Sequence, residues 1–180
     1  KKNRIKDAAF FIPDPWTNTE VTGNFIDKAL SKAISQTVNN NAQDKITFKS
    51  KCVLLIGLAI HAKLNNYVRY IKIALNSLQK PWNKAMFLDL FLADIFINKW
   101  KKHEPDFSSL FLNAGAHIQH HYMLSSKVYD GKLENPEWYI DKRHDPLLDV
   151  FKLYDSLIGS IMGETSNTRL MLATGLTQDP

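Results

Sequence analysis

Apolar residues change their spacing several times along the chain, and each change predicts a different element. Ala8-Ala-Phe-Phe-Ile12 is a short apolar run closed by Pro13-Asp14-Pro15, which reads as a strand ending in a rigid turn. Residues 16–24 then read as loop. Ile26, Leu30, Ile34 and Val38 recur every four residues, which predicts a helix that Asn39-Asn40-Asn41 stops. Leu64, Val68, Ile71, Leu75 and Leu78 follow at spacings of four, three, four and three, the cleanest amphipathic pattern in the chain, and Pro81 ends it. From about Pro81 to Lys101 the text is apolar nearly all round. Only Asp89, Asp94 and Asn98 mark a narrow polar stripe, so this helix should be largely buried. Residues 26–102 therefore read as a helical block.

After Pro105 the pattern returns to strand. Phe107-Ser-Ser-Leu-Phe-Leu-Asn113 reads as a buried strand, and a helix begins near Gly115. Residues 125–143 form a polar and aromatic connection without a steady period, expected as a surface excursion. Asp145-Pro146 opens another helix, with Asp as N-cap and Pro in the first turn. Leu147, Val150, Phe151, Tyr154, Leu157, Ile158 and Ile161 line one side of it until Gly163. Arg169-Leu-Met-Leu-Ala-Thr174 is a third apolar strand, meeting a turn at Gly175. Continuous apolar strands separated by helices predict an α/β fold, a mainly parallel sheet flanked by helices. The expected organisation is one α/β domain over residues 1–180, with 26–102 as a helical insertion and no internal repeat.

Composition narrows this only a little. A chain of 180 residues with 44% hydrophobic and 23% charged residues has enough apolar material for one core, which sets disorder aside. The net charge of +5 favours anionic partners weakly, because the charges are interspersed without a run of one sign. The single cysteine, Cys52, excludes an internal disulfide, and its apolar surroundings suit a buried thiol. The run from Cys52 to Ile60 is the longest apolar stretch, far below the roughly 18 residues of a membrane-spanning helix. Lys1-Lys-Asn-Arg-Ile-Lys6 resembles the start of a signal peptide only in charge. The chain starts without Met and ends abruptly at Thr177-Gln-Asp-Pro180, so the domain is expected to be incomplete, and an export signal could have been lost. Its location stays open.

The best candidate chemistry lies at 111–122. His117, His120 and His121 stand in the i, i+3, i+4 relation, so a helix puts all three on adjacent turns of one side. Neutral imidazoles at that spacing share a zinc ion or another divalent transition metal readily. The plainer alternative makes His117 a hydrogen-bonded core residue, with His120 and His121 facing outward. Asn113 stands at the carboxyl end of the predicted strand, where open α/β sheets bind ligands, although its carbonyl is a poorer ligand than a carboxylate. Asp14 is a secondary pocket candidate or plain turn chemistry. Tyr67-Val-Arg-Tyr-Ile-Lys72 interleaves aromatic and basic residues in a way that suits nucleic acid, but it serves equally as a solvated helix face. The charged cluster Asp141, Arg143, His144 and Asp145 reads as loop.

Pro105-Asp-Phe-Ser-Ser-Leu-Phe-Leu-Asn113-Ala-Gly-Ala-His117 resembles the alkaline phosphatase-like superfamily, which includes nucleotide pyrophosphatase/phosphodiesterases and sulfatases. Those enzymes have a strand that begins Pro-Asp and ends in an Asp, then three residues, then a His. The resemblance implies that Asn113 and His117 hold one catalytic metal, zinc or manganese, with His121 and Asp14 as further members of the pocket. It also implies that the following helix and strand match Asp145 to Met162 and Arg169 onward. Two features depart from the family: Asn113 replaces a carboxylate, and Arg169 to Gln178 lacks the Asp-His-Gly that supplies a second metal. No nucleophile is matched. The implied function is metal-dependent hydrolysis of phosphate or sulfate esters, small or glycan-linked, impaired by those departures. The alternatives are a noncatalytic relative that binds an anion or glycan and, less favoured, a basic nucleic-acid-binding module.

Overall fold

The computed structural model describes residues 8–13, 20–39, 46–164 and 168–174. They fall into two compact units, Lys1–Ala114 and Gly115–Pro180.

The first unit is built on four helices. α1, Phe25–Asn39, starts where Asn24 and Asp27 cap each other: the Asp27 amide donates to Asn24 Oδ1 and the Asn24 amide to Asp27 Oδ2, both at 3.0 Å. Gly23 precedes this box at φ 151°, and a Cβ there would lie 2.5 Å from Asp27 Oδ2. Only glycine leaves that carboxylate in place. α2, Phe48–His61, opens at Thr47, whose hydroxyl accepts the Ser50 amide at 3.1 Å. α1 packs on α2, and α4, Asn83–His103, packs on α2 as well. At Gly57 three of these elements come close: a Cβ there would sit 2.7 Å from Leu30 Cδ1 and 3.0 Å from the Phe91 ring. Leu30, Ala33, Ile34, Leu90, Phe91, Ala93 and Ile97 are buried around that approach.

α3, Tyr67–Asn76, follows a 3₁₀ turn at Leu64–Asn66 and packs on α4. Its burial reverses the simplest reading of its amphipathic pattern. Tyr70 and Ile73 turn inward, with the Tyr70 ring edge-on to Phe87 at 5.0 Å, while Leu64, Val68, Ile71, Leu75 and Leu78 face outward. The polar stripe expected on α4 is also largely internal, since Asp89 and Asp94 are buried and only Asn98 is exposed. Each carboxylate has found donors. Asp94 accepts the Lys63 amide at 3.0 Å, Asn66 Nδ2 at 2.8 Å and the Tyr70 hydroxyl at 2.9 Å. Asp89 accepts the amides of Asn113 at 3.3 Å and Ala114 at 2.8 Å. A buried ion pair joins Lys99 Nζ to Asp27 Oδ1 at 2.5 Å. His61 is buried near that pair, with Nδ1 2.9 Å from Asn98 Oδ1, and burial holds its imidazole below the usual pKa.

The expected α/β architecture is not the one observed. Among the described residues there is no strand or sheet, so neither a parallel sheet nor an alkaline phosphatase-like layer with a helical insertion describes them. Phe11 makes one antiparallel bridge with Thr22, through hydrogen bonds of 2.8 and 3.1 Å. Residues 107–113 carry no helix and pair with no strand, leaving Phe107 and Phe111 exposed. Residues 169–174 are likewise without a ladder, and Met171 and Leu172 are exposed. The physical reason is that an apolar run records a need for burial and not a partner. Sheet formation also requires a second backbone alongside to take up the amides and carbonyls.

The second unit holds α5, Ala114–Tyr122, from Gly115 onward, a 3₁₀ turn at Met123–Ser125, irregular chain, and α6, Pro146–Glu164. Ile118, Ile140, Leu147, Val150, Leu153 and Leu157 form its buried interior. Leu153 takes an inward place that the apolar line read from the sequence gave to Phe151, which is half-exposed. Gly115 donates its amide to the Tyr154 hydroxyl at 2.7 Å, tying α5 to α6.

Asp145 caps α6 as its position before Pro146 predicts. Its Oδ1 accepts the Leu148 amide at 3.0 Å and the Ser126 hydroxyl at 2.9 Å, and its Oδ2 accepts the Lys127 amide at 3.0 Å. Burial pushes this carboxyl up, but those three donors outweigh it and hold it below the usual carboxylate range. Asp145→Ala is expected to cost about 1–2 kcal/mol, read as a lower urea midpoint at pH 7. Because folding depresses this pKa, the contribution is complete above the unfolded value and fades as pH falls through the folded one. The gap between the two proteins should therefore narrow on acidification.

Candidate functional site

Ala114 and Ile118 are the buried positions of α5, one turn apart, and His117 and His121, three residues after each, stand beside that buried edge. His117, His120 and His121 are all exposed. The rings of His117 and His121 stand 4.8 Å apart between centroids at 62°, the closeness that their i, i+4 spacing allows. Partial burial, then the neighbouring His121 and His120, push the His117 imidazole below its ordinary pKa, so at neutral pH it carries a free lone pair.

His121 is held from the irregular connection. Its Nδ1 is 2.8 Å from the Tyr139 hydroxyl, and its carbonyl accepts Asn135 Nδ2 at 3.1 Å. Asn135 in turn accepts the Ser125 hydroxyl at 2.9 Å. Tyr139 lies 5.5 Å from the Tyr122 ring and 5.8 Å from the ring of Trp138, which is exposed. Burial, then Tyr139, raises the Tyr122 phenol above its usual pKa. The second unit thus gathers two imidazoles, two phenols and an indole at the end of α5. When Nδ1–H of His121 is donated to the Tyr139 oxygen, Nε2 is left as the free nitrogen, the arrangement in which a second residue orients a metal-binding imidazole.

The residues singled out in the sequence are not all brought together. Asn113 has an exposed side chain and gives its backbone amide to Asp89. Asp14 lies outside the described residues, as do Gly175, Thr177 and Gln178. Asp141 and Arg143 form an exposed ion pair at 2.6 Å, an arrangement of the loop itself. In the Tyr67 to Lys72 stretch Tyr70 is buried against Asp94, which removes one of the two rings that base stacking would need. Tyr139, Tyr122, Trp138 and Asn135 were not identified from sequence. Their only signal was the aromatic content of the connection that supplies three of them.

Chemically, the cluster offers two nitrogen donors at a spacing that one ion can bridge. Among the described residues no group of three or more His, Cys, Asp or Glu side chains is placed to hold a metal ion. Comparison with protein-family models, with curated proteins and with solved structures found no match.

Proposed function

We propose that this chain acts on phosphate or sulfate esters as a metal-dependent hydrolase, with His117 and His121 as the nitrogen donors for a divalent ion such as zinc or manganese. The observation that carries the reading is the pair of imidazoles on α5, one kept neutral and the other oriented by Tyr139. The reaction class rests on the likeness in sequence of residues 105–117 to alkaline phosphatase-like enzymes and not on fold, since residues 107–113 form no strand. When bound, the ion would polarise the ester oxygen and stabilise the charge that develops there. His117 stays unprotonated at neutral pH, His121 is held in one orientation, and the Trp138 and Tyr139 rings give a sugar or other apolar part of the ester a surface to lie on. Two protein donors are fewer than the three usual in catalytic zinc sites, so affinity for the ion is expected to be weak.

The test is metal titration by calorimetry, paired with hydrolysis of aryl phosphate and aryl sulfate esters. His117→Ala should reduce both metal affinity and turnover by about 10- to 100-fold. Because burial and the neighbouring histidines lower the His117 pKa, its nitrogen stays available to the ion below the pH at which an ordinary imidazole takes up its proton. Absence of zinc and manganese binding, with hydrolysis unchanged in His117→Ala, overturns the proposal.

A second reading is favoured by the exposure of Trp138 and by the absence, among the described residues, of a group of three or more metal-holding side chains: a noncatalytic relative that binds an anion or glycan on the same aromatic and imidazole surface. It predicts ligand binding that survives chelator, depends on Trp138, and proceeds without turnover.

A further inference from the structure

We propose that the outward face of α3 docks the protein onto anionic phospholipid surfaces. Val68, Ile71 and Leu75 lie on α3 at a spacing that puts them in one row, Leu64 and Leu78 lie in the turns at its two ends, and all five are between 58% and 89% exposed. Tyr67, on the edge of that row, is partly exposed as well. Five large aliphatic side chains facing water along one short helix and the turns that flank it make a surface that calls for a partner.

The row cannot be buried by rolling α3 over. Tyr70 and Ile73 occupy the side facing α4, and turning them out would break the Tyr70 hydroxyl's bond to Asp94 and expose its ring. The charge around the row selects the partner. From His61 to Leu88 the chain contains no Asp or Glu, while Lys63, Arg69, Lys72, Lys80 and Lys84 lie in that stretch. The nearest acidic residues on the packed helix, Asp89 and Asp94, are buried and bonded to amides or polar side chains. An exposed apolar row in a stretch of sequence that carries five Lys or Arg residues and no Asp or Glu matches a lipid surface that offers hydrocarbon below and anionic headgroups at the rim.

A partner helix fits less well. α3 is regular only over Tyr67–Asn76, so Leu64 sits in the 3₁₀ turn before it and Leu78 in the turn after it. Side chains interlocked with a second helix need continuous helical register, whereas a bilayer surface accepts an irregular row. No helix among the described residues is long and apolar enough to cross a membrane, so the contact would be peripheral.

The experiment is sedimentation of the whole protein with vesicles of phosphatidylcholine alone and of equimolar phosphatidylcholine and phosphatidylglycerol. Binding is expected to the anionic vesicles, to weaken as salt rises, and to be about tenfold or more weaker on the neutral ones. Ile71→Asp with Leu75→Asp should abolish it while the circular dichroism and melting of the protein are retained, because both residues are exposed. Lys72→Glu should weaken it about tenfold or more. The His117→Ala protein should bind vesicles normally, which separates this proposal from the ester site. Failure to bind anionic vesicles, or equal binding to neutral ones, overturns it. So does a wild-type dimer that the Asp substitutions convert to monomer without any vesicle binding, since the row would then be covered by a second copy.

Discussion

Lys99→Met is expected to destabilise the protein by about 3–5 kcal/mol, which is a large part of the roughly 5–15 kcal/mol that holds a domain together. Lys99 Nζ lies 2.5 Å from Asp27 Oδ1, and both side chains are almost wholly buried. The other Asp27 oxygen is already committed to the Asn24 amide at the start of α1. Removing the ammonium therefore leaves a carboxylate facing an apolar interior with no replacement for water. Much of the loss comes from that stranded charge and not from an intrinsic strength of the pair. Asp27→Asn combined with Lys99→Met tests the distinction: asparagine keeps an oxygen for the Asn24 amide and carries no charge. The double variant should recover more than half of what the single one loses, measured by urea unfolding. A double variant as unstable as Lys99→Met alone would show that the pair itself, or the packing of the lysine stem, supplies the stability.

The elements that were legible in the sequence are those whose apolar spacing is local and whose ends carry their own signals. The helix expected from Ile26 is α1, stopped at Asn39, and the one opened by Asp145 is α6. α2 was harder. Val53, Leu54, Leu55, Ile56, Leu58 and Ile60 are apolar all round, so no period shows, and Leu55, Ile56 and Ile60 end up exposed. α3 displays a perfect period whose direction is inverted, because pattern reveals that a face exists and not which way it turns. There Tyr70, Asn66 and the Lys63 amide find Asp94 some 24 to 31 residues away, and that contact decides the orientation. The predicted strands fail for a related reason, since pairing is a property of two segments and the apolar run describes one.

The site divides in the same way. The spacing of His117 and His121 along one helix was readable, because i and i+4 are neighbours in any helix. Tyr139 and Asn135 reach His121 from 18 and 14 residues further on, out of a connection with no period, and nothing local announces which of its aromatic residues folds back. Asn113, four residues before His117, gives its backbone amide to Asp89 24 residues earlier, a contact that no local pattern announces, and its side chain is exposed.

Asp94→Ala should be nearly as damaging as the loss of Lys99, about 3 kcal/mol, because it leaves the Lys63 amide, Asn66 Nδ2 and the Tyr70 hydroxyl without their acceptor. Burial raises the Tyr70 phenol well above its ordinary pKa, and Asp94 raises it further, so the hydroxyl remains a donor through the working pH range. The Asp94 carboxyl is itself raised: burial outweighs the three donors that favour its charged form. The sign of the pH dependence follows. In the folded protein Asp94 keeps its proton to a higher pH than in the unfolded chain, so its contribution is complete below the unfolded value and is lost as pH rises through the folded one. Asp94→Asn removes this titration while preserving shape. Between about pH 4, near the unfolded carboxylate pKa, and neutrality, wild type should therefore lose stability relative to Asp94→Asn. Urea midpoints of the two proteins across that range decide it. A wild type that gains on the variant as pH rises would mean that the three donors, and not burial, govern the charge that anchors α3 to α4.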